Sequence, residues 1–188
     1  TFWVSSNLIQ VIHTKKFMNG NWYVFLVSFV ALILAAHPAQ CAYEVVFEYN
    51  VEMKTRDGVT LRADIYRPKA DGKFPVLLER QPYNKYIYIG DGLASAARGY
   101  VFIAQDARGR FASDGEWYPF RDEGKDGYDA VEWAAKLPYS NGKVGMVGIS
   151  YVGCPQLLTA MTAPPHLVAI YPGITASNYH DNWCYQGG

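Results

Sequence analysis

The amino-acid sequence predicts an α/β fold, in which a mostly parallel sheet is covered by helices on both faces. One observation is a series of short apolar runs of strand length, at residues 74–79, 100–105, 143–149 and 167–171. A second is that helix-like segments separate these runs, at residues 93–98, 122–137 and 151–162. Strands that alternate with helices build a parallel sheet, because each helix carries the chain back across one face.

The segment before the first apolar run predicts a β-hairpin. Residues 51–54 and 60–67 flank the turn pair Asp57-Gly58. Apolar and polar side chains alternate in the second segment, which is typical of a strand with one buried face. We therefore expect an antiparallel pair beside the parallel strands.

Two crossover units follow the hairpin. In the first, the helix-like segment stops at Gly99, where a left-handed C-terminal cap is natural, and an apolar strand returns directly. In the second, acidic residues crowd the first turns of the helix, where the macrodipole favours them, and Pro138 follows its end. Asn141-Gly142 is then predicted to turn the chain into the next strand.

Composition limits the classes of function. The chain carries 17 basic and 17 acidic side chains, for a formal net charge of +0. No field of one sign attracts a polyanion, so nucleic-acid binding is not predicted. Half of the residues are hydrophobic and 15% are aromatic, which is enough apolar matter for a packed core.

Residues 1–42 are predicted to be a leader that contains a signal peptide, with the folded domain at residues 43–188. A charge-free run at residues 22–36 is preceded by Lys15, Lys16 and Met18. This run of about fifteen residues is shorter than the roughly twenty that cross a bilayer as a helix, so no stable membrane anchor is expected. The residues before Met18 are interpreted as an upstream extension. We therefore expect a secreted or periplasmic protein.

The strongest chemical signal is the segment Gly-Met-Val-Gly-Ile-Ser-Tyr-Val-Gly at residues 145–153. Ser150 stands at the predicted corner between a buried strand and a helix, and Gly148 and Gly153 supply the space that a tight turn needs. Val152 fills the position where the usual Gly-x-Ser-x-Gly pattern has its second glycine. From the pattern alone, two interpretations remain open: an acyl-accepting nucleophile, or a serine that caps a helix.

The segment matches the Gly-x-Ser-Tyr-x-Gly elbow of cocaine-esterase-like and Xaa-Pro dipeptidyl-peptidase-like hydrolases, the CocE/NonD family, which the chain resembles from about residue 51 onward. Four further segments agree with the family in the same order: Arg56-Asp57-Gly58-Val59-Thr60-Leu61 with Tyr66-Arg67-Pro68, Arg80-Gln81-Pro82-Tyr83-Asn84-Lys85, Gln105-Asp106-Ala107-Arg108-Gly109-Arg110 with Ser113-Asp114-Gly115, and Asn141-Gly142-Lys143-Val144-Gly145-Met146. The resemblance implies an α/β-hydrolase fold, of which residues 43–188 form the N-terminal part.

The resemblance also implies a reaction and its residues. Ser150 would form an acyl-enzyme, and the backbone N–H of Tyr151 and the hydroxyl of Tyr83 would bind the oxyanion. Tyr83 follows the strand at residues 74–79, where α/β hydrolases carry their second oxyanion donor. No cofactor and no metal are implied. Small-molecule esters, whether acyl or aromatic, and amides or esters of α-amino acids, including Xaa-Pro peptides, remain open as substrates. The alternative is a catalytically incomplete fragment or a secreted non-catalytic binding module.

The residues after Ser150 do not supply a complete catalytic triad. In this fold the acid and then the histidine follow the serine along the chain. Asp181 is the only acidic residue after Ser150, and His166 and His180 both precede it. We therefore expect the acid and the histidine beyond Gly188, with the chain covering the fold before its cap domain and last strands.

The remaining polar and cysteine residues are predicted to be structural. Asp106, Arg108 and Arg110 are expected to fix a loop through ion pairs. Cys154 is expected to be a small buried residue on a helix. An acidic face at a helix start is expected to be solvated and not to bind a metal, which concerns Asp122, Asp126 and Asp129.

Overall fold

The computed structural model describes residues 42–178 and residue 180. The predicted signal peptide, Asp181 and Cys184 lie outside the described residues. In the described part, the strands are β1 (Val45–Lys54), β2 (Thr60–Pro68), β3 (Phe74–Gln81), β4 (Val101–Asp106), β5 (Ser140–Ile149) and β6 (Leu167–Gly173). The α-helices are α1 (Ile89–Ala97), α2 (Glu123–Ala135) and α3 (Gly153–Met161), with 3-10 helices at Lys85–Tyr88 and Ser150–Val152.

The strands form one mixed sheet in the order β1-β2-β4-β3-β5-β6. β1 pairs with β2 and β2 with β4 in antiparallel fashion, whereas β4, β3, β5 and β6 pair in parallel. Leu78 of β3 lies opposite Ile103 on one side and Met146 on the other, which fixes the central register. The predicted hairpin beside a mostly parallel sheet is therefore confirmed.

Helices cover both faces of the sheet. On one face Ala130, Val131 and Ala134 of α2 pack into the larger core cluster, which includes Leu78 and Met146. On the other face Ala96 of α1 packs with Tyr66, Phe102 and Ala104. Burying one large apolar side chain, such as that of Leu78 or Phe102, stabilises the fold by about 1.5–3 kcal/mol. Each face therefore contributes to holding the layers together.

The turn predicted at Asn141-Gly142 lies within β5 as a bulge. β3 pairs Phe74 with Ser140 but Val76 with Val144, so β5 contains two extra residues over this interval. Gly142 has φ 81°, and its N–H donates to the Ser140 hydroxyl at 3.1 Å. The local turn chemistry is as predicted, but the sheet continues on both sides of it because β3 offers partners to both halves of the strand.

Candidate active site

Ser150 occupies a strained turn at the carboxyl end of β5. Ile149 is still extended, with φ −118° and ψ 161°, whereas Ser150 has φ 58°. A left-handed conformation at a residue other than glycine costs on the order of 1–3 kcal/mol and tends to occur at functional sites. The serine side chain is exposed at this corner.

Close packing around the turn requires glycine at two positions. A Cβ on Gly148 would lie 2.2 Å from Cγ1 of Val152, and a Cβ on Gly153 would lie 2.7 Å from the Thr175 side chain. Both distances are shorter than any side chain tolerates. Gly148 therefore lets β5 and the following helical turn approach each other, as the sequence predicts, whereas Gly153 makes room for the segment that follows β6.

Ser150 does not hold a helix-capping position. The N-cap residue of the 3-10 helix is Ile149 and that of α3 is Val152, and neither helix start has a side-chain cap. The geometry therefore disfavours the capping interpretation of Ser150.

Tyr83 lies beside this turn. It follows β3, is 51% exposed, and its ring meets the ring of Tyr151 edge to face, with centroids 6.1 Å apart. β3 and β5 are parallel neighbours, so the residues that follow their carboxyl ends meet at one edge of the sheet. The structure thus brings together Ser150, Tyr151 and Tyr83, the three predicted site residues.

The side chain of Tyr151 is held by residues that sequence reasoning did not identify. Its ring stacks on Phe120 at a centroid distance of 4.5 Å, and its hydroxyl donates to Oε1 of Glu123 at 3.3 Å. Burial, and then the charge of Glu123, raises the pKa of Tyr151 above its ordinary value. In the sequence, Glu123 is one of several acidic residues at a helix start, and Phe120 lies in a loop without a recognisable motif.

A buried carboxyl group lies behind the turn. Oε1 of Glu79 would be 3.2 Å from a Cβ on Gly148. Burial raises the pKa of Glu79 to about 8, against a lowering by the Tyr88 hydroxyl and with a smaller rise from Asp91. Burial therefore favours the protonated form of Glu79. The sequence signal was a glutamate inside an otherwise apolar strand.

Asp106, Arg108 and Arg110 fix the loop that follows β4. Asp106 accepts hydrogen bonds from Nζ of Lys85 at 3.1 Å and from the Lys85 N–H at 2.9 Å. Arg108 binds Asp57 and Asp126, and Arg110 donates to the carbonyl of Pro82. These contacts agree with the structural role predicted for the three residues, although the ion-pair partner of Asp106 is a lysine and the bond from Arg110 is to a carbonyl, not to a carboxylate.

The prediction of a solvated acidic face on α2 is wrong at Asp126 and Asp129. Asp126 is 1% exposed, and its Oδ1 is 2.6 Å from Nη2 of Arg108. The Asp129 side chain is 14% exposed, and its Oδ1 is 2.7 Å from Nη2 of Arg56. The physical reason at Asp126 is that the loop before α2 folds back and brings a guanidinium over the first turn of the helix. Within residues 42–178 and 180, no group of three or more His, Cys, Asp or Glu is placed to hold a metal ion.

A cavity of about 230 Å³ lies away from Ser150, at the start of α2. Arg56 and Arg108 line it together with their carboxylate partners Asp57, Asp126 and Asp129. The two arginines and these three carboxylates are therefore already engaged with one another, and Asp122 and Lys125 complete the lining.

His166 does not occupy the position of a triad base. Nδ1 of His166 lies 2.9 Å from Oε2 of Glu132, but His166 precedes β6 at the amino end of the parallel strands. Ser150 lies at the opposite, carboxyl end. His180 is exposed, and its N–H donates to Asn178.

Cys154 is buried in α3, as predicted. Among the described residues, no helix combines the length and apolar character that a membrane span requires.

Comparison with known proteins agrees with this geometry. A model of the X-Pro dipeptidyl-peptidase (S15) family matches residues 57–188. Cocaine esterase of Rhodococcus sp. (strain MB1 Bresler) is 39% identical over 146 residues, which cover 74% of this chain and 25% of that protein. The chain thus spans about a quarter of the length of this relative.

Solved structures show the same fold. A CocE/NonD family hydrolase from Staphylococcus aureus superimposes with a TM-score of 0.68 at 30% identity, covering 73% of this chain and 29% of that one. An α-amino acid ester hydrolase superimposes with a TM-score of 0.63 at 30% identity, covering 79% and 28%. The fold is therefore that of the α/β hydrolases, and the chain belongs to the X-Pro dipeptidyl-peptidase (S15) family of CocE/NonD-type hydrolases.

Proposed function

We propose that this protein is a serine hydrolase that cleaves ester or amide bonds of small molecules or peptides through an acyl-enzyme on Ser150. One observation carries the proposal: an exposed serine with φ 58° lies at the carboxyl end of β5, directly before Tyr151, whose ring meets that of Tyr83. Family membership supports it, because the relatives include esterases and peptidases.

The proposed reaction is a double displacement. Oγ of Ser150 attacks the substrate carbonyl carbon and gives up its proton to a histidine, and the carbonyl oxygen becomes an oxyanion. The N–H of Tyr151 and the hydroxyl of Tyr83 donate to that oxygen. Collapse of the tetrahedral intermediate expels the alcohol or amine, which takes the proton from the histidine. Water then repeats the sequence on the acyl-enzyme and releases the acid.

The histidine and its orienting acid are proposed to come from sequence beyond Gly188. His166 is unsuited to this role because it lies at the amino ends of the strands, bound to Glu132. A triad base needs to be within hydrogen-bond reach of the serine hydroxyl.

Two substrate classes suit the proposal. One relative is a cocaine esterase and a structural neighbour is an α-amino acid ester hydrolase, so simple esters and derivatives of α-amino acids are both candidates. A free α-amino group needs a carboxylate partner near the acyl carbon, which simple esters do not require. We also propose that the protein is exported, since residues 22–36 carry no charge and follow two lysines.

A labelling experiment on the full-length protein tests the function. A fluorophosphonate probe is expected to label the wild type and to fail on Ser150→Ala. Tyr83→Phe is expected to lower kcat for an activated ester by roughly 10²–10³, the usual effect of losing one oxyanion donor. Tyr100→Phe removes a hydroxyl at the opposite, amino ends of the parallel strands and is expected to leave kcat unchanged. An intact wild-type protein that neither labels nor hydrolyses esters would support a binding module instead.

A further inference from the structure

We propose that Glu123 is a positioning residue for this reaction: it holds the phenol of Tyr151 and thereby fixes the backbone N–H that receives the oxyanion. The inference rests on the proposed function and extends it to a residue outside the elbow motif. It concerns a side chain 27 positions before the nucleophile in sequence, supplied by the first turn of α2.

Two hydrogen bonds hold the phenol oxygen of Tyr151. Its O–H donates to Oε1 of Glu123 at 3.3 Å, and it accepts from the N–H of Phe120 at 3.4 Å. A phenol oxygen offers one donor and acceptor sites, so Glu123 takes its single donor and Phe120 one of its acceptor sites. Stacking on Phe120 fixes the plane of the ring as well.

Glu123 is itself held rigidly. Its Oε2 accepts from Nη1 of Arg80 at 2.7 Å, and the same nitrogen donates to the Glu123 carbonyl at 3.0 Å. Arg80 is fully buried and also donates to Gln105 at 2.9 Å. One carboxylate oxygen of Glu123 therefore binds the central strand while the other binds Tyr151. This arrangement connects β3 to the turn that follows β5.

The turn depends on this external support. Ser150 is strained, and the 3-10 helix Ser150–Val152 has no side-chain cap that would orient its first N–H groups. Gln156 supports the backbone on either side by donating to the carbonyls of Gly148 and Val152, and the contacts of the Tyr151 side chain supply the support at residue 151 itself. An oxyanion donor works only when its N–H points at the developing charge within about 2.7–3.1 Å.

A purely structural role for Glu123 predicts a different kinetic result. If Glu123 only anchored the loop before α2, its removal would lower thermal stability and leave the rate of the folded enzyme unchanged. If it positions the oxyanion donor, kcat and kcat/KM fall together, because the lost interaction is made only in the transition state. KM stays constant, since the neutral substrate carbonyl gains little from the N–H.

Tyr151→Phe in the full-length protein is the primary test, because it removes the phenol oxygen and leaves the ring and the Glu123–Arg80 pair in place. We expect kcat for an activated ester to fall by roughly tenfold or more, with KM within about twofold. Affinity for an alkylboronic acid, which forms a charged tetrahedral adduct with the serine, is expected to fall by a similar factor.

Tyr139→Phe is the matched control. The hydroxyl of Tyr139 donates to Oε2 of Glu48 at 3.3 Å, the same distance as in the Tyr151–Glu123 bond, and burial raises its pKa as well. Tyr139 lies just before β5, at the opposite end of the strand from Ser150. This variant is expected to change the unfolding temperature about as much as Tyr151→Phe does, with kcat unchanged.

Glu123→Gln provides an independent variant and completes a double-mutant cycle. We expect Glu123→Gln to lower kcat about as much as Tyr151→Phe, and to lower it little further when added to Tyr151→Phe. Equal kcat in wild type and folded Tyr151→Phe, or fully additive effects in the cycle, would overturn the inference while the labelling of Ser150 still supports the hydrolase. A wild-type protein that does not react at Ser150 would overturn both.

Discussion

Ion pairs at the antiparallel edge of the sheet differ from those at the carboxyl ends of its parallel strands. At the antiparallel edge, Lys69 and Glu44 pair at 2.7 Å with side chains 65% and 77% exposed. At the carboxyl ends, Arg80 and Glu123 pair at the same distance with side chains 0% and 6% exposed. The same chemical contact is thus made once in water and once in the protein interior.

Burial determines what each contact can do. Solvent and salt screen the exposed pair, so either partner can leave at little cost. The buried pair has lost its hydration, so each charge depends on the other and on the neighbouring donors and acceptors. Only a buried ion pair can hold a catalytic group in a fixed geometry, and the ion pair beside Tyr151 is buried.

Arg80→Met is expected to have the largest effect on stability. It would leave the Glu123 carboxylate buried without its guanidinium, and removing one partner of a buried pair costs about 3–5 kcal/mol. Urea unfolding of the purified variant measures this cost. Adding Glu123→Gln to Arg80→Met removes the stranded charge and is expected to recover part of the loss. A cost of about 1 kcal/mol or less for Arg80→Met would mean that the two regions differ less than their burial indicates.

Glu79→Gln is expected to have an effect on stability that depends on pH. The pKa of Glu79 is raised from 4.5 to about 8, so the folded state holds a proton there that the unfolded state releases above pH 4.5. The stabilisation that this proton provides is complete below pH 4.5 and is lost as the pH rises toward about 8. Glutamine stays neutral throughout.

Urea unfolding of wild type and Glu79→Gln between pH 4.5 and 8.5 measures this difference. The free energy of unfolding of the variant, relative to that of the wild type, is expected to rise by up to about 1.4 kcal/mol per pH unit. This difference is expected to level off near pH 8. The two proteins compared at pH 4.5 serve as the reference, because Glu79 is then largely protonated in the folded state. A difference in unfolding free energy that does not change with pH would show that the carboxyl group of Glu79 is ionised in the folded protein.

Lys69→Ala is expected to have the smallest effect. Its pair with Glu44 is fully solvated, so we expect no measurable change in the unfolding temperature and none in ester hydrolysis. Differential scanning calorimetry at low and high salt measures the unfolding temperature. A clear destabilisation that disappears at high salt would contradict the contrast between the two regions.

Much of the fold could be predicted because its signals are local. The alternation at residues 60–67, the apolar runs and the glycines around Ser150 each depend on neighbours within a few positions. The bulge at Gly142 escaped prediction because a turn and a bulge have the same local chemistry, and only pairing with β3 distinguishes them.

The site was predicted in part for the same reason. Ser150, Tyr151 and Tyr83 stand in recognisable motifs at strand ends, and the topology of parallel strands brings such ends together. The burial of Asp126 and the partners of Tyr151 could not be predicted, because they depend on how the loop after β4 folds back over α2. The catalytic roles of Ser150, Tyr151 and Tyr83 remain predictions.

The sequence by itself determined which segments become strands and helices and where a serine meets a tight turn, since side-chain periodicity and backbone sterics act between near neighbours. Only the tertiary structure decided that Glu123 meets a phenol 28 residues away and an arginine 43 residues away. It likewise decided that the pKa of Glu79 is raised, because the dielectric environment of a carboxyl group is set by everything that packs around it.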